Sequence, residues 1–255
     1  MASLELQNVN LSIANKEVCK DLSIRFDAGQ RWGILGRNGV GKTTLLHTLC
    51  QLRHDFTGSI LLNDHDITLL KRKTISQQIG IQLQHIEDPF PATVLETVLD
   101  GRHPFISNWQ WESQADINIA KAALEIVGLS QLAEREVNHL SGGERQRVSL
   151  ATLITQDPSI ILLDEPNSHL DLNYQVKLLD HFTKYTANND RLLIMNLHDI
   201  NLAMRYCTHI LLLTGDGQFH HGPVENLLTE EKLSETFKHP IKSLQSGHQQ
   251  LFYPG

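Results

Sequence analysis

The segment GRNGVGKTT, Gly36 to Thr44, constrains this chain more than any other stretch. It fits the pattern G-x-x-x-x-G-K-[ST] without a mismatch. The apolar run RWGIL leads into it, and Leu45, Leu46, Leu49 and Leu52 follow at helical spacing, so the loop joins a strand to a helix. Strand, glycine loop and helix in that order form a cradle for phosphate. Gly36, Gly39 and Gly41 permit backbone conformations that turn successive N–H groups toward one point, and the helix start adds roughly half a positive charge there. Within this cradle the Lys42 ammonium can reach β- and γ-phosphates, and the Thr43 hydroxyl can ligate Mg²⁺.

Two further stretches bear on the same chemistry. In SIILLDEP an apolar strand delivers Asp164 and Glu165 to the end of a sheet, which is where α/β proteins bind ligands. Alone, either carboxylate could be a helix cap or a solvated turn residue. Beside a phosphate loop, Asp164 becomes a Mg²⁺ partner through water and Glu165 a group that polarises an attacking water. In LSGGERQR, Ser141 and Glu144 have the S-x-x-E spacing of a capping box, so a helix should start there. A helix start behind two glycines is also an anion site, which is redundant in a chain that already has one.

With 40% apolar and 20% charged residues in 255, the chain is long enough for one α/β domain with a smaller insert. A net charge of -7 gives no electrostatic footprint for nucleic acid, so no such partner is expected. No run approaches the roughly 20 apolar residues of a membrane-spanning helix, and MASLELQ lacks the basic start and apolar run of a secretory signal, which points to a cytoplasmic chain. The three cysteines, Cys19, Cys50 and Cys207, sit in apolar patterns and read as reduced, buried thiols.

Strand periodicity in the first 35 or so residues (Leu4, Leu6, then Val9, Leu11, Ile13, and later Leu22, Ile24, Phe26) predicts an antiparallel β-region. Between Gln84 and Leu140 prolines and aromatics cluster and IAKAALEIVGL reads as an amphipathic helix, marking a helical insert. Thereafter strand-like SIILLD, RLLIMNL and HILLL alternate with helical NYQVKLLDHFTKYT and INLAMRYC, the pattern of a helix-covered parallel sheet. The tail from Pro223 reads as two short helices and a polar end. The adjacent His220 and His221 point to opposite faces of a strand and are given no metal role.

Taken in order, GRNGVGKTT, the Gln84 region IQLQH, LSGGERQR, IILLDEP, SHLD ending at Asp171, and Leu197-His198-Asp199 resemble the motifs of the ATP-binding subunits of ABC transporters, over nearly the whole chain. The resemblance implies an α/β fold: a P-loop NTPase (RecA-like) core at 1–84 and 141–222, with an N-terminal antiparallel β-region, a helical subdomain inserted at 85–140 and short C-terminal helices and tail at 223–255. It implies ATP held by Gly36, Arg37, Asn38, Gly39, Val40, Gly41, Lys42, Thr43 and Thr44, and Mg²⁺ surrounded by Thr43, Gln84 and Asp164. Gln82 competes with Gln84 for its role; Gln84 is preferred because it follows the strand-like IGIQL.

By the same resemblance Glu165 is the general base, His198 contacts the γ-phosphate, and Asp171 contacts an opposite subunit. Ser141, Gly142 and Gly143 act in trans, closing over ATP in the Walker A loop of a second copy, so the working form is a homodimer and the redundant anion site is explained. One position departs from the family: its usual adenine-stacking aromatic aligns with Ile13, and no aromatic precedes Phe26.

Finally, PFPATVLETVLDGRHPF, DEPNSHLDL and LHDINLAMRYCTHILLL resemble importer ATPases for iron-siderophore, haem and vitamin B12. That likeness implies integral membrane permease subunits as partners, a substrate-binding protein acting indirectly, and a peripheral place on the cytoplasmic face of the inner membrane. A soluble ABC ATPase driving an assembly reaction, such as iron-sulfur scaffold loading, is the alternative. The cargo is not written in this chain, because an importer ATPase does not touch it.

Overall fold

The parity of the N-terminal hydrophobic pattern switches from even positions (Leu4, Leu6) to odd ones (Val9, Leu11), and the structure shows why. In the computed structural model, which describes residues 1–14, 16–83, 91–107, 110–166, 171–188, 190–247 and 249–255, strand β1 (Ser3–Ile13) is bulged between Leu6 and Val9 in its pairing with β2 (Lys16–Asp27). Asn8 takes a left-handed φ of 50 in the bulge, and the extra residue returns the apolar side chains to one face. Leu4, Leu6, Val9, Leu11, Leu22, Ile24 and Phe26 are all buried.

Two compact units divide the chain, Met1–Leu70 with Asp180–Gly255, and Lys71–Leu179. In the first unit β3 (Arg31–Gly36) runs into the glycine loop and then α1 (Lys42–Leu49). The helix stops short of Leu52, which is 44% exposed, because Gln51 adopts a left-handed φ of 58 that a helix cannot continue. Strands β4 (Phe56–Leu62) and β5 (His65–Asp66) complete an antiparallel sheet in the order β2-β1-β4-β5.

The second unit holds α2 (Arg72–Gln78), β6 (Ile79–Gln82), α3 (Val94–Leu99), α4 (Gln114–Ile126), α5 (Gly142–Gln156) and β7 (Ile160–Asp164). Its three longer turns into helix are fastened alike. Thr93 with Glu96, Ser113 with Asp116 and Ser141 with Glu144 each form a complete capping box at the start of α3, α4 and α5. Strand β6 pairs in parallel with β7, Gln82 beside Leu163, and every residue of β7 is buried, which accounts for its unbroken apolar composition.

After α6 (Leu172–Asn188), the chain lays down β8 (Leu192–Asn196), α7 (Ile200–Tyr206), β9 (His209–Gly215) and β10 (Gln218–Pro223). Here β3 lies between β8 and β9, parallel to both, and β10 is antiparallel to β9. Trp32 on β3 packs edge-on to Phe26, with ring centroids 4.9 Å apart, and stacks on His209 at 4.7 Å.

The tail contains the two short helices expected, α8 (Val224–Leu227) and α9 (Glu230–Phe237), but its polar end is a hairpin of β11 (Ile241–Ser246) and β12 (Gln249–Pro254). Ile241 and Phe252 are buried beneath it, while the Glu230 carboxylate accepts from both the amide and the hydroxyl of Ser243. Long-range support of this kind compensates for a weak alternation. No described helix is long and apolar enough to cross a membrane.

Candidate functional site

Gly36 ends β3 with a φ of 154, and a Cβ placed there would lie 2.5 Å from the Leu213 carbonyl of β9. The sheet therefore admits only glycine where the loop leaves it. Arg37, Asn38 and Gly39 form an exposed crest, closed by a turn in which the Val40 amide donates to the Arg37 carbonyl at 3.2 Å. Val40 is a buried plug. Gly41 follows with φ 111 at the position that caps α1, where it has no side chain to offer that helix start. Lys42 is only 5% exposed and its ammonium donates to the carbonyls of Gly36, at 2.9 Å, and Arg37, at 3.4 Å. Thr43 and Thr44 occupy the first turn, half-buried.

Strand β8 ends beside this loop's own strand, with Asn196 paired to Ile34 of β3, and the Leu197 amide donates to the Ile34 carbonyl at 3.1 Å. The exposed His198 follows one residue later. Sequence reasoning missed Asn196, which is 1% exposed and whose Nδ2 points to the Thr43 hydroxyl at 3.5 Å. A polar side chain closing the apolar run LLIMN was the available signal. Asp199, with no assigned role, caps α7 by accepting from the amides of Asn201 and Leu202. Lys16 was also missed: its ammonium donates to the Gly39 carbonyl at 2.8 Å.

In the second unit Asp164 terminates β7 at 0% exposure. Glu165 follows with a left-handed φ of 51, a conformation that costs a residue with a side chain about 1–2 kcal/mol. Such a turn re-aims the Glu165 carboxylate away from the line of the strand. Ser141 is the cap of α5. Its amide and hydroxyl donate to the Glu144 carboxylate at 2.8 and 2.7 Å, and the hydroxyl accepts from the Glu144 amide at 3.3 Å. These Ser141 hydrogen bonds hold the Glu144 carboxyl below its ordinary pKa. The capping box expected of LSGGERQR thus forms, leaving Ser141 and Gly142 exposed, with open space where a Gly142 Cβ would stand. Gln82 is buried at the end of β6, its amide NH₂ spent on the Leu83 carbonyl at 2.7 Å. Gln84 lies outside the described residues. Asp171 is exposed and receives the Tyr174 amide on its carboxylate and the Gln175 amide on its carbonyl, both at 3.0 Å, so it caps α6.

All three cysteines are free and buried. Burial pushes the Cys19 thiol up to about 11 and that of Cys207 to about 12, so neither is a nucleophile at neutral pH.

A strand that ends on an obligatory glycine, a glycine-rich turn folded over a buried lysine, and a helix that starts on a glycine cap define a P-loop nucleotide-binding protein. Residues 19–168 match the family model described as ABC transporter, and the chain belongs to that family. It is 35% identical over 238 residues to the petrobactin import ATP-binding protein FpuD of Bacillus anthracis, covering 92% of this chain and 86% of that protein. It is 30% identical over 240 residues to the ferric enterobactin transport ATP-binding protein FepC of Escherichia coli, covering 93% and 88%. A solved structure assigned to the metal-chelate type of ABC transporter, in an inward-facing conformation, matches all of this chain and 98% of its own with a TM-score of 0.85 at 29% identity. Membership makes the chain an ABC-type ATPase that binds ATP.

Proposed function

We propose that this chain powers an importer, hydrolysing ATP on the cytoplasmic face of the inner membrane so that permease subunits admit an iron-siderophore, haem or cobalamin-type ligand delivered by a substrate-binding protein. The names of its relatives, all import or transport ATP-binding proteins, support the class. The observation that supports the mechanism is that Ser141 and Gly142 stand exposed at the tip of α5, with open space beside Gly142, in a chain that already carries one phosphate loop. A homodimer gives each tip a use, as the lid over ATP held in the P-loop of the other copy.

In this reading the amides of Gly36 to Thr44 and the Lys42 ammonium bind the phosphates. Glu165 takes the proton of the attacking water, His198 holds that water against the γ-phosphate, and Asp171 meets the opposite subunit. The donors available for Mg²⁺ suit it. Asp164 is a fully buried carboxylate at a strand end, Thr43 supplies a hydroxyl, and no cluster of three His, Cys, Asp or Glu exists among the described residues. That set matches an ion that takes one carboxylate and leaves its remaining positions to phosphates and water. When bound, Mg²⁺ supplies charge neutralisation between the phosphates. Gln84, which follows the strand-like IGIQL, is the third residue beside the ion in this reading.

The test is Glu165→Gln. The variant should run as a stable dimer on size exclusion in ATP, with hydrolysis nearly abolished. A variant that keeps full turnover sinks the base assignment, and one that stays monomeric in ATP sinks the shared site. Co-purification of a very hydrophobic membrane protein with the wild-type chain from its native host tests the importer reading separately.

A further inference from the structure

The tip of the β1–β2 hairpin rests on the phosphate loop through two side chains of one face. Lys16 and Val18 are two residues apart in β2 and so project the same way. Val18 is fully buried, and its methyls come within 2.4 and 2.6 Å of where a Cβ of Gly41 would stand. Lys16 is exposed, yet its ammonium is tied to the Gly39 carbonyl at 2.8 Å, on the outer crest of the loop. Its cross-strand partner is Ile13, which is half-exposed. The hairpin tip therefore offers a nucleotide one aliphatic side chain and one cation, and no aromatic ring, because the first aromatic in the chain is the buried Phe26.

We propose that Lys16 is a nucleotide-positioning residue: anchored on the Gly39 carbonyl, it holds the hairpin tip against the phosphate loop and adds a positive charge beside the bound phosphates. The anchor matters because a free lysine side chain loses much rotamer entropy on being fixed. Here the fixing is done before the nucleotide arrives. The ammonium has three donors and the carbonyl uses one, so the charge remains available to an anion without leaving its anchor. Lys42, buried within the loop, and Lys16, on its rim, then place positive charge on both sides of the crest.

The inference rests on the loop being the nucleotide site, and the experiment separates the two. ADP dissociation constants for the full-length wild type, Lys16→Gln and Lys16→Arg are measured at low and high ionic strength. Lys16→Gln should bind ADP about two- to fivefold more weakly at low salt, the range of an exposed ion contact. The gap should close at roughly 1 M salt, where the screening length falls to about 3 Å. Lys16→Arg should keep the wild-type affinity. Equal affinity of Lys16→Gln and wild type at low salt overturns the proposal. A loss that is the same at both ionic strengths, or a Lys16→Arg variant as weak as Lys16→Gln, overturns it as well, since either marks a packing defect and not a charge effect. A wild type that fails to bind ADP at all overturns the assignment of the loop itself.

Discussion

Replacing Gly41 by alanine tests whether the phosphate loop owes its shape to the strand beneath it. Gly41 has φ 111 and ψ 15, a conformation that costs an L-residue with a Cβ about 1–2 kcal/mol. The added methyl would also stand 2.4 Å from Val18 Cγ2 and 2.6 Å from Cγ1. Relief of an overlap with the stiff, fully buried Val18 costs about 1–3 kcal/mol. Together these predict a loss of about 2–5 kcal/mol, or a drop in melting temperature of roughly 4–20 °C for a domain of this size. The clash and the backbone strain can be separated. In a Val18→Ala background the two methyl overlaps are gone and only a 3.0 Å approach to the remaining Cβ adds to the backbone share, so a double-mutant cycle by chemical denaturation should give a coupling of about 1–3 kcal/mol. A coupling below about 0.5 kcal/mol, the error of additivity, would show that Val18 does not hold the loop. Wild-type stability of Gly41→Ala alone would show that the loop does not require its left-handed residue.

Ile13→Tyr should tighten ATP about two- to tenfold and widen the preference for ATP over GTP, because an aromatic ring adds about 0.5–1.5 kcal/mol beyond its area; parallel titrations of wild type and variant with both nucleotides check this, and identical affinities discard it. Asp116 is held down to about 2 by the Ser113 hydroxyl first and by Arg102 at 2.8 Å next. A depressed carboxyl contributes stability above its unfolded pKa and loses it as pH falls, so about 2 kcal/mol should vanish between roughly pH 4 and pH 2. Asp116→Asn should flatten the slope of unfolding free energy in that window, and an unchanged slope refutes the assignment.

What could be read in advance was what neighbours in sequence decide. The glycine spacing of the loop and the S-x-x-E start of α5 are each settled within a few residues, and each appears in the structure where expected. The C-terminal hairpin was read as a polar end because its alternation is diluted by Ser243, Gln245 and Gln250. It is secured by Glu230, thirteen residues before Ser243. Asn196 and Lys16 escaped for the same reason. Their partners, Thr43 and Gly39, lie 153 and 23 residues away; the polar close of LLIMN marks Asn196 as unusual, but no local pattern names a partner so distant. The preference for Gln84 over Gln82 rests on its place after the strand-like IGIQL, and Gln84 lies outside the described residues.

Helices α3, α4 and α5 each begin under the side chain of their own capping residue, whereas the residue that caps α1 is Gly41, which has none. If the loop is the proposed nucleotide site, a bound phosphate would partner the first turn of α1 from solution. Its arrival should then register far from any chemistry, as slower amide exchange along the first turn of that helix and as resistance to heat that grows with ligand concentration.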